Sequence, residues 1–225
     1  MATAPLSPAP NSAQHGALMD AIYRRQKHIY DLTRKYYLFG RDPLINGLEC
    51  APGARVLEIG CGTGRNLAQI ARRWPGVELY GLDISHEMLA TARERLGEDA
   101  RLALGDATGF EPVSLFGCAE FDRVVISFAL SMIPEWRRAM AHAASLLAPG
   151  GSLHVVDFSD FSGLPGPLRA MMRGWLTRFH VTPRLELADR AASEALRRRL
   201  SLRTRRGPLG YYRLVTLRDR RSAAN

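Results

Sequence analysis

Apolar positions along this chain change period repeatedly. Residues 56–60 form a short apolar run ending in glycine, residues 65–74 carry apolar side chains at helical spacing, and residues 77–83 return to strand character. A helix follows over 86–96, with Met88, Leu89, Ala92 and Leu96 on one face. Strands then cover 101–106 and 121–126, the latter the most apolar. A helix over 135–147 closes at Pro149-Gly150-Gly151, and a fifth strand covers 152–158. Strands alternating with helices of this length predict a parallel sheet covered by helices on both faces. Residues 200–206 and 211–218 read as a hairpin around Gly207-Pro208-Leu209-Gly210, which adds strands six and seven at the sheet edge. The expected fold class is α/β: one Rossmann-like domain with a seven-stranded, mostly parallel sheet.

Two further segments flank the alternating core. Residues 16–48 are helical in pattern and rich in tyrosine, as a lid would be. Residues 164–179 place Leu164, Leu168, Met171, Met172, Trp175, Leu176 and Phe179 at helical spacing, with Arg169, Arg173 and Arg178 off that face. Such a helix either packs as a lid or lies in a membrane interface. Residues 1–15 are rich in Ala, Pro and Ser and lack the basic start and apolar centre of a signal peptide, so they are expected to be a disordered tail. The remaining 49–225 is expected to be one domain, which suits a chain of 225 residues.

Charge and cysteine usage narrow the possibilities. Residues 190–225 hold eleven arginines against Glu194 and Asp219, which accounts for the whole formal net charge of +9. That segment is either a solvated face or an attractor of anionic surfaces. Cys50, Cys61 and Cys118 form no CxxC pair, so a reduced, cytoplasmic protein without a metal site is expected. No apolar run reaches the length of a bilayer span.

The candidate chemistry sits at three strand ends. Strand one runs into Glu58-Ile59-Gly60-Cys61-Gly62-Thr63-Gly64, where glycines let the backbone turn and approach a ligand. Asp83 ends strand two, placed to accept from ribose hydroxyls, and Gly105-Asp106-Ala107 ends strand three, where a carboxylate can accept from an adenine amine. Three such acceptors side by side describe a nucleoside pocket. The spacing is G-x-G-x-G, not the G-x-G-x-x-G of dinucleotide sites, and Glu58 just before it would repel a pyrophosphate while suiting a cation.

These segments, with Leu147-Ala148-Pro149-Gly150-Gly151, resemble the ordered motifs of class I S-adenosylmethionine-dependent methyltransferases over residues 54–158. The resemblance implies S-adenosylmethionine as cofactor and S-adenosylhomocysteine as product. It implies a cofactor site of Arg41, Glu58, Gly60, Cys61, Gly62, Asn66, Asp83, Ile84, Met88, Gly105, Asp106, Ala107, Ser127 and Phe128. Asn66 can reach the cofactor from the first turn of its helix, and Arg41 can pair with a carboxylate of cofactor or acceptor.

The acceptor is read from the flanks. Strand four ends in Ser127-Phe128-Ala129-Leu130, not in the Asn- or Asp-Pro-Pro-aromatic segment of nucleobase methyltransferases, so nucleic acid is disfavoured. Residues 29–42, 128–134 and 179–184 resemble the bacterial N-methyltransferases of betaine-lipid synthesis. That resemblance implies three methyl transfers to diacylglyceryl-homoserine and a protein held peripherally at the inner face of the membrane, with an amino lipid and an anionic surface as partners. Tyr30, Tyr36 and His154 are the candidates for assisting proton loss or enclosing the methylated cation, with His28, Asp31 and Tyr37 as alternatives. A soluble small molecule or a quinone precursor remains an alternative acceptor. A binding module for RNA or lipid, with a vestigial pocket, is the alternative outside enzymes; intact Glu58, Asp83 and Asp106 speak against it.

Overall fold

The computed structural model describes residues 39–179 and 181–220. Most of the expected lid, and all of the expected tail at 1–15, lie outside them. The described part of the lid is helix α1 (Arg41–Asn46), which buries Leu44 and Ile45.

The alternation then follows the expected course: β1 (Arg55–Ile59), α2 (Arg65–Arg73), β2 (Glu78–Asp83), α3 (His86–Leu96), β3 (Ala100–Leu104), α4 (Pro112–Phe116), β4 (Phe121–Ser127), α5 (Trp136–Ser145) and β5 (Leu147–Phe158). Helix α6 (Gly166–Thr177) and helix α7 (Leu187–Arg198) precede the hairpin of β6 (Leu200–Arg206) and β7 (Tyr212–Asp219). The seven strands run in the order β3-β2-β1-β4-β5-β7-β6. Strands β1 to β5 are parallel, and β7 is antiparallel to both β5 and β6. The hairpin forms one edge of the sheet, as its sequence suggested.

Helices cover both faces. On one, α1, α2 and α3 pack over Val56, Leu79, Val125 and Val156. On the other, α5 and α7 pack over Leu57, Ile126, Val155 and Val215. This is the period-two burial expected of a sheet covered on both sides. The strand order reverses between β1 and β4, so a crevice opens at their carboxyl ends.

Three local readings need correction. Strand β5 starts at Leu147 and runs through Pro149-Gly150-Gly151, with a shift of register against β4 between Phe121 and Arg123, so these residues bulge the strand and do not break it. Strand β3 stops at Leu104, which leaves Asp106 in the following turn. Helix α7 was not foreseen, because its buried positions are Leu187, Ala191 and Ala195 and its arginines read as a charged tail. Those arginines are partly committed: Arg190, Arg197 and Arg198 converge on Glu194, which is fully buried, at 2.6, 3.2 and 3.3 Å. Arg206 pairs with Asp160 and Arg218 with Glu49. Much of the basic segment is therefore built into the domain.

Candidate active site

The crevice between β1 and β4 is an open cleft lined by Arg41, Glu58, Gly60 to Gly62, Thr63, Arg65, Asn66, Met88 and Ser127. Its floor is the turn after β1. Gly62 has φ +55°, which disfavours a side chain, and a Cβ built there would meet nothing within 4 Å, because the position faces open cleft. Gly60 is closed from the other side, where a Cβ would come within 2.7 Å of the Ala129 side chain.

Glu58 is buried at the end of β1. One carboxylate oxygen accepts from Asn66 Nδ2 at 2.7 Å. The other, Oε2, is buried with no hydrogen-bond partner among the described residues. Burial pushes the carboxyl up to about 8, against the opposing pull of the Asn66 hydrogen bond and of Arg41. A buried carboxylate with an unused oxygen beside an open cleft is a receptor for a cation. Asn66, read as a possible ligand contact, acts on Glu58 in the described structure.

Asp83 ends β2, and its two oxygens accept from Gly62 N at 2.8 Å and Ser85 N at 2.9 Å. It therefore fixes the glycine turn, a role that the motif alone did not disclose. Ile84 packs with Met88, one wall of the cleft. Gly105, Asp106 and Ala107 follow β3. Gly105 N bonds to Asp83 O at 3.0 Å, Asp106 accepts from Thr108 N at 2.8 Å, and Ala107 packs against the core. Cys61 lines the cleft with its thiol pushed well above its ordinary range by burial, so it is a wall and no nucleophile.

Ser127 reaches the cleft from the end of β4 with a buried hydroxyl that has no partner among the described residues. Phe128 next to it does not present its ring: it is 2% exposed, and the ring packs on Phe158 at 4.7 Å. His154 is also not brought to the cleft. It lies two rungs below the Ser127–Val156 pair, bonds to the Ser152 hydroxyl at 2.8 Å, and is pushed down to about 3 by burial. A neutral, enclosed imidazole there serves packing, which corrects its candidacy as a catalytic group. Tyr30 and Tyr36, with His28, Asp31 and Tyr37, lie outside the described residues. Thr63 and Arg65 line the cleft but were not singled out from the sequence; both sit within or directly after the glycine turn.

This assembly defines a Rossmann-like domain with an open crevice at the strand ends, beside a buried carboxyl at the end of β1 and a second at the end of β2. A methyltransferase-domain family matches residues 56–151, the span from β1 into β5. A phosphatidylethanolamine N-methyltransferase of Cereibacter sphaeroides is 34% identical over 154 residues, covering 62% of this chain and 73% of the relative. A demethylmenaquinone methyltransferase of Renibacterium salmoninarum is 32% identical over 154 residues, covering 66% of this chain and 61% of the relative. Among solved structures, phosphoethanolamine N-methyltransferase 2 of Haemonchus contortus, in complex with S-adenosyl-L-methionine, superposes with TM-score 0.67 at 16% identity, over 89% of this chain and 59% of its own. Magnesium protoporphyrin IX methyltransferase of Synechocystis, with bound S-adenosylhomocysteine, gives TM-score 0.63 at 18% identity, over 91% of this chain and 95% of its own.

The chain belongs to the class I S-adenosylmethionine-dependent methyltransferases. It is an enzyme, and S-adenosylmethionine is its cofactor. The described residues fit that ligand: the unpartnered Glu58 oxygen suits its ammonium, and the side-chain-free Gly62 leaves room for it.

Proposed function

We propose that this enzyme methylates the amine of an amino lipid, diacylglyceryl-homoserine, to give the trimethylated betaine lipid. The observation that carries the reading is helix α6. It exposes Leu168 and Met171, at 41% and 63%, and Phe179, two residues beyond its carboxyl end, packs on Met88, which lines the cleft. Exposed apolar side chains on a helix that leads toward the wall of the cofactor cleft suit acyl chains that stay outside while the head group enters. The N-methylation of a phospholipid amine named for the Cereibacter sphaeroides relative supports the same acceptor class.

In this reading the cofactor, when bound, supplies an electrophilic methyl group. The chain binds and positions. Glu58 and Arg41, which line the cleft, would hold the cofactor's ammonium and carboxylate, and Asp83 and Asp106, at the ends of the next two strands, would accept from its ribose and its adenine amine. The acceptor must be the neutral amine, so an ammonium proton is lost to solvent before each transfer; Ser127 would line its approach, and Tyr30 and Tyr36 are the candidates to assist that loss or to enclose the methylated cation. Rate comes from alignment and exclusion of water.

Peripheral attachment to an anionic membrane belongs to the same proposal. No helix among the described residues is long and apolar enough to cross a membrane. Arg203 and Arg205 stand exposed on edge strand β6. Replacing both by Ser should weaken flotation with anionic vesicles, as should added salt. The acceptor is tested by incubating the full chain with methyl-labelled cofactor and either diacylglyceryl-homoserine or phosphatidylethanolamine vesicles. One, two and three added methyl groups on diacylglyceryl-homoserine are expected by mass spectrometry. Methylation of a quinone precursor with every amino lipid untouched would overturn the lipid reading and favour the activity named for the demethylmenaquinone relative.

A further inference from the structure

Ser127, which lines the cleft, leads into the segment 128–133, and that segment starts from a strained residue. Phe128 has φ +54°, a left-handed conformation that a bulky aromatic residue rarely adopts. Such strain persists only where surrounding contacts over-determine it. Here they do. Phe128 N donates to Val156 O at 2.8 Å. Asp157, fully buried at the end of β5, accepts from Ser131 N at 2.9 Å and from Phe158 N at 2.8 Å. From outside, Arg184 donates through Nε to Leu130 O at 2.9 Å and through Nη2 to Ile133 O at 2.7 Å. Thr182 N adds a bond to Ser131 O at 2.9 Å. The turn is thus gripped through two amides and three carbonyls, while Ser127 lines the cleft and Met132 packs on Met88.

We propose that Asp157 and Arg184 are positioning residues for methyl transfer, which lock the strained turn in the one shape that aligns the acceptor with the cofactor. Neither touches the reacting atoms; both act through the backbone of 128–133. The inference rests on the chain's methyltransferase activity and on the acceptor entering past Ser127. Asp157 carries a cost that a purely structural residue would not need: burial pushes its carboxyl up to about 6, so the fold keeps an ionised group at neutral pH where a neutral one would be better tolerated. Stability given up at a site that shapes a cleft wall is the pattern expected of function.

Asp157→Asn separates the two roles, since the amide oxygen still accepts one backbone N–H while the charge is gone. The expected result is a melting temperature equal to or above the parent's, cofactor affinity within about twofold by calorimetry, and kcat reduced tenfold or more with diacylglyceryl-homoserine vesicles. Amide hydrogen exchange of 128–133 should accelerate at the same time. Arg184→Lys keeps the charge but cannot bridge two carbonyls, and it should show the same split. Unchanged kcat in both variants would overturn the proposal, as would a parallel fall of melting temperature, cofactor affinity and kcat. If the parent methylates no amino lipid, the lipid reading fails, while exchange over 128–133 still decides whether Asp157 and Arg184 hold the turn: unaltered exchange in both variants overturns their role, and accelerated exchange sustains it.

Discussion

Cofactor binding should release a proton from Glu58. In the free enzyme, burial holds this carboxyl near 8, so at pH 7 only about a tenth of the molecules carry the charge. The cofactor's ammonium would sit against the unused Oε2 and favour the ionised form. If only that form binds tightly, the apparent Kd should improve about ninefold from pH 6 to 7 and about fivefold from pH 7 to 8, then level off. Those steps correspond to about 1.3 and about 1.0 kcal/mol, with about 0.9 proton released per complex at pH 7. The stability of the free fold runs in the opposite direction. A carboxyl raised above its unfolded value of 4.5 stabilises the fold most below that value, and the stabilisation is lost as pH rises through 8. Isothermal titration with S-adenosylhomocysteine, in two buffers of different ionisation enthalpy, measures the released proton directly. Glu58→Gln should bind more weakly at pH 8 and lose the pH dependence, which isolates Glu58 from titration of the ligand. No proton release at pH 7, or the same release in the Gln variant, would refute the reasoning.

Three further outcomes are expected. Asp83→Ala should weaken S-adenosylhomocysteine binding by about 1–3 kcal/mol in calorimetry, and it should loosen the glycine turn, since Asp83 also accepts from Gly62 N. Unchanged affinity in a folded variant would remove it from the site. Gly62→Val should abolish cofactor binding while the circular dichroism stays that of the parent, because the new side chain would occupy the open cleft from a backbone with φ +55°. Glu194→Gln should lower stability by about 3 kcal/mol in urea titration, because Arg190, Arg197 and Arg198 lose a shared buried partner; a loss under about 0.5 kcal/mol would show that the cluster is solvated surface.

The sheet and the cofactor crevice were legible in the chain because both depend on local, repeated signals. Apolar runs of fixed length set the strands, and the glycine turn with Glu58, Asp83 and Asp106 marks three adjacent strand ends. What escaped depends on contacts between distant segments. Nothing near Asp157 in sequence announces that its carboxylate will hold Ser131 N, 26 positions earlier. Helix α7 was hidden by composition, since a helix that buries alanines and pairs its arginines with Glu194 resembles a basic tail when only charges are counted. His154 misled for the opposite reason. Histidine in a functional strand invites a chemical role, and only the register shows it two rungs below the cleft and bonded to Ser152.

The same distinction explains why the core identifies the reaction more sharply than the acceptor. The acidic residues proposed for the cofactor all sit at the ends of β1, β2 and β3, beside the reversal in strand order, where such a fold opens its crevice. Those positions are tied to one another by the fold: Asp83 holds Gly62, and Glu58 is held by Asn66. The acceptor side has no such constraint. As proposed, it is assembled from the turn after β4, the segment 181–184 and helix α6, pieces joined by Arg184, by Thr182 and by the packing of Phe179 on Met88. Each of these pieces lies outside the strand register, so each can change without disturbing the sheet. A phospholipid amine methyltransferase and a quinone-precursor methyltransferase can therefore resemble this chain about equally over the core, at 34% and 32% identity. What separates such enzymes must then lie in how the acceptor-side segments are shaped and held. In this chain the hold is a buried carboxylate on one side of a strained turn and a forked guanidinium on the other.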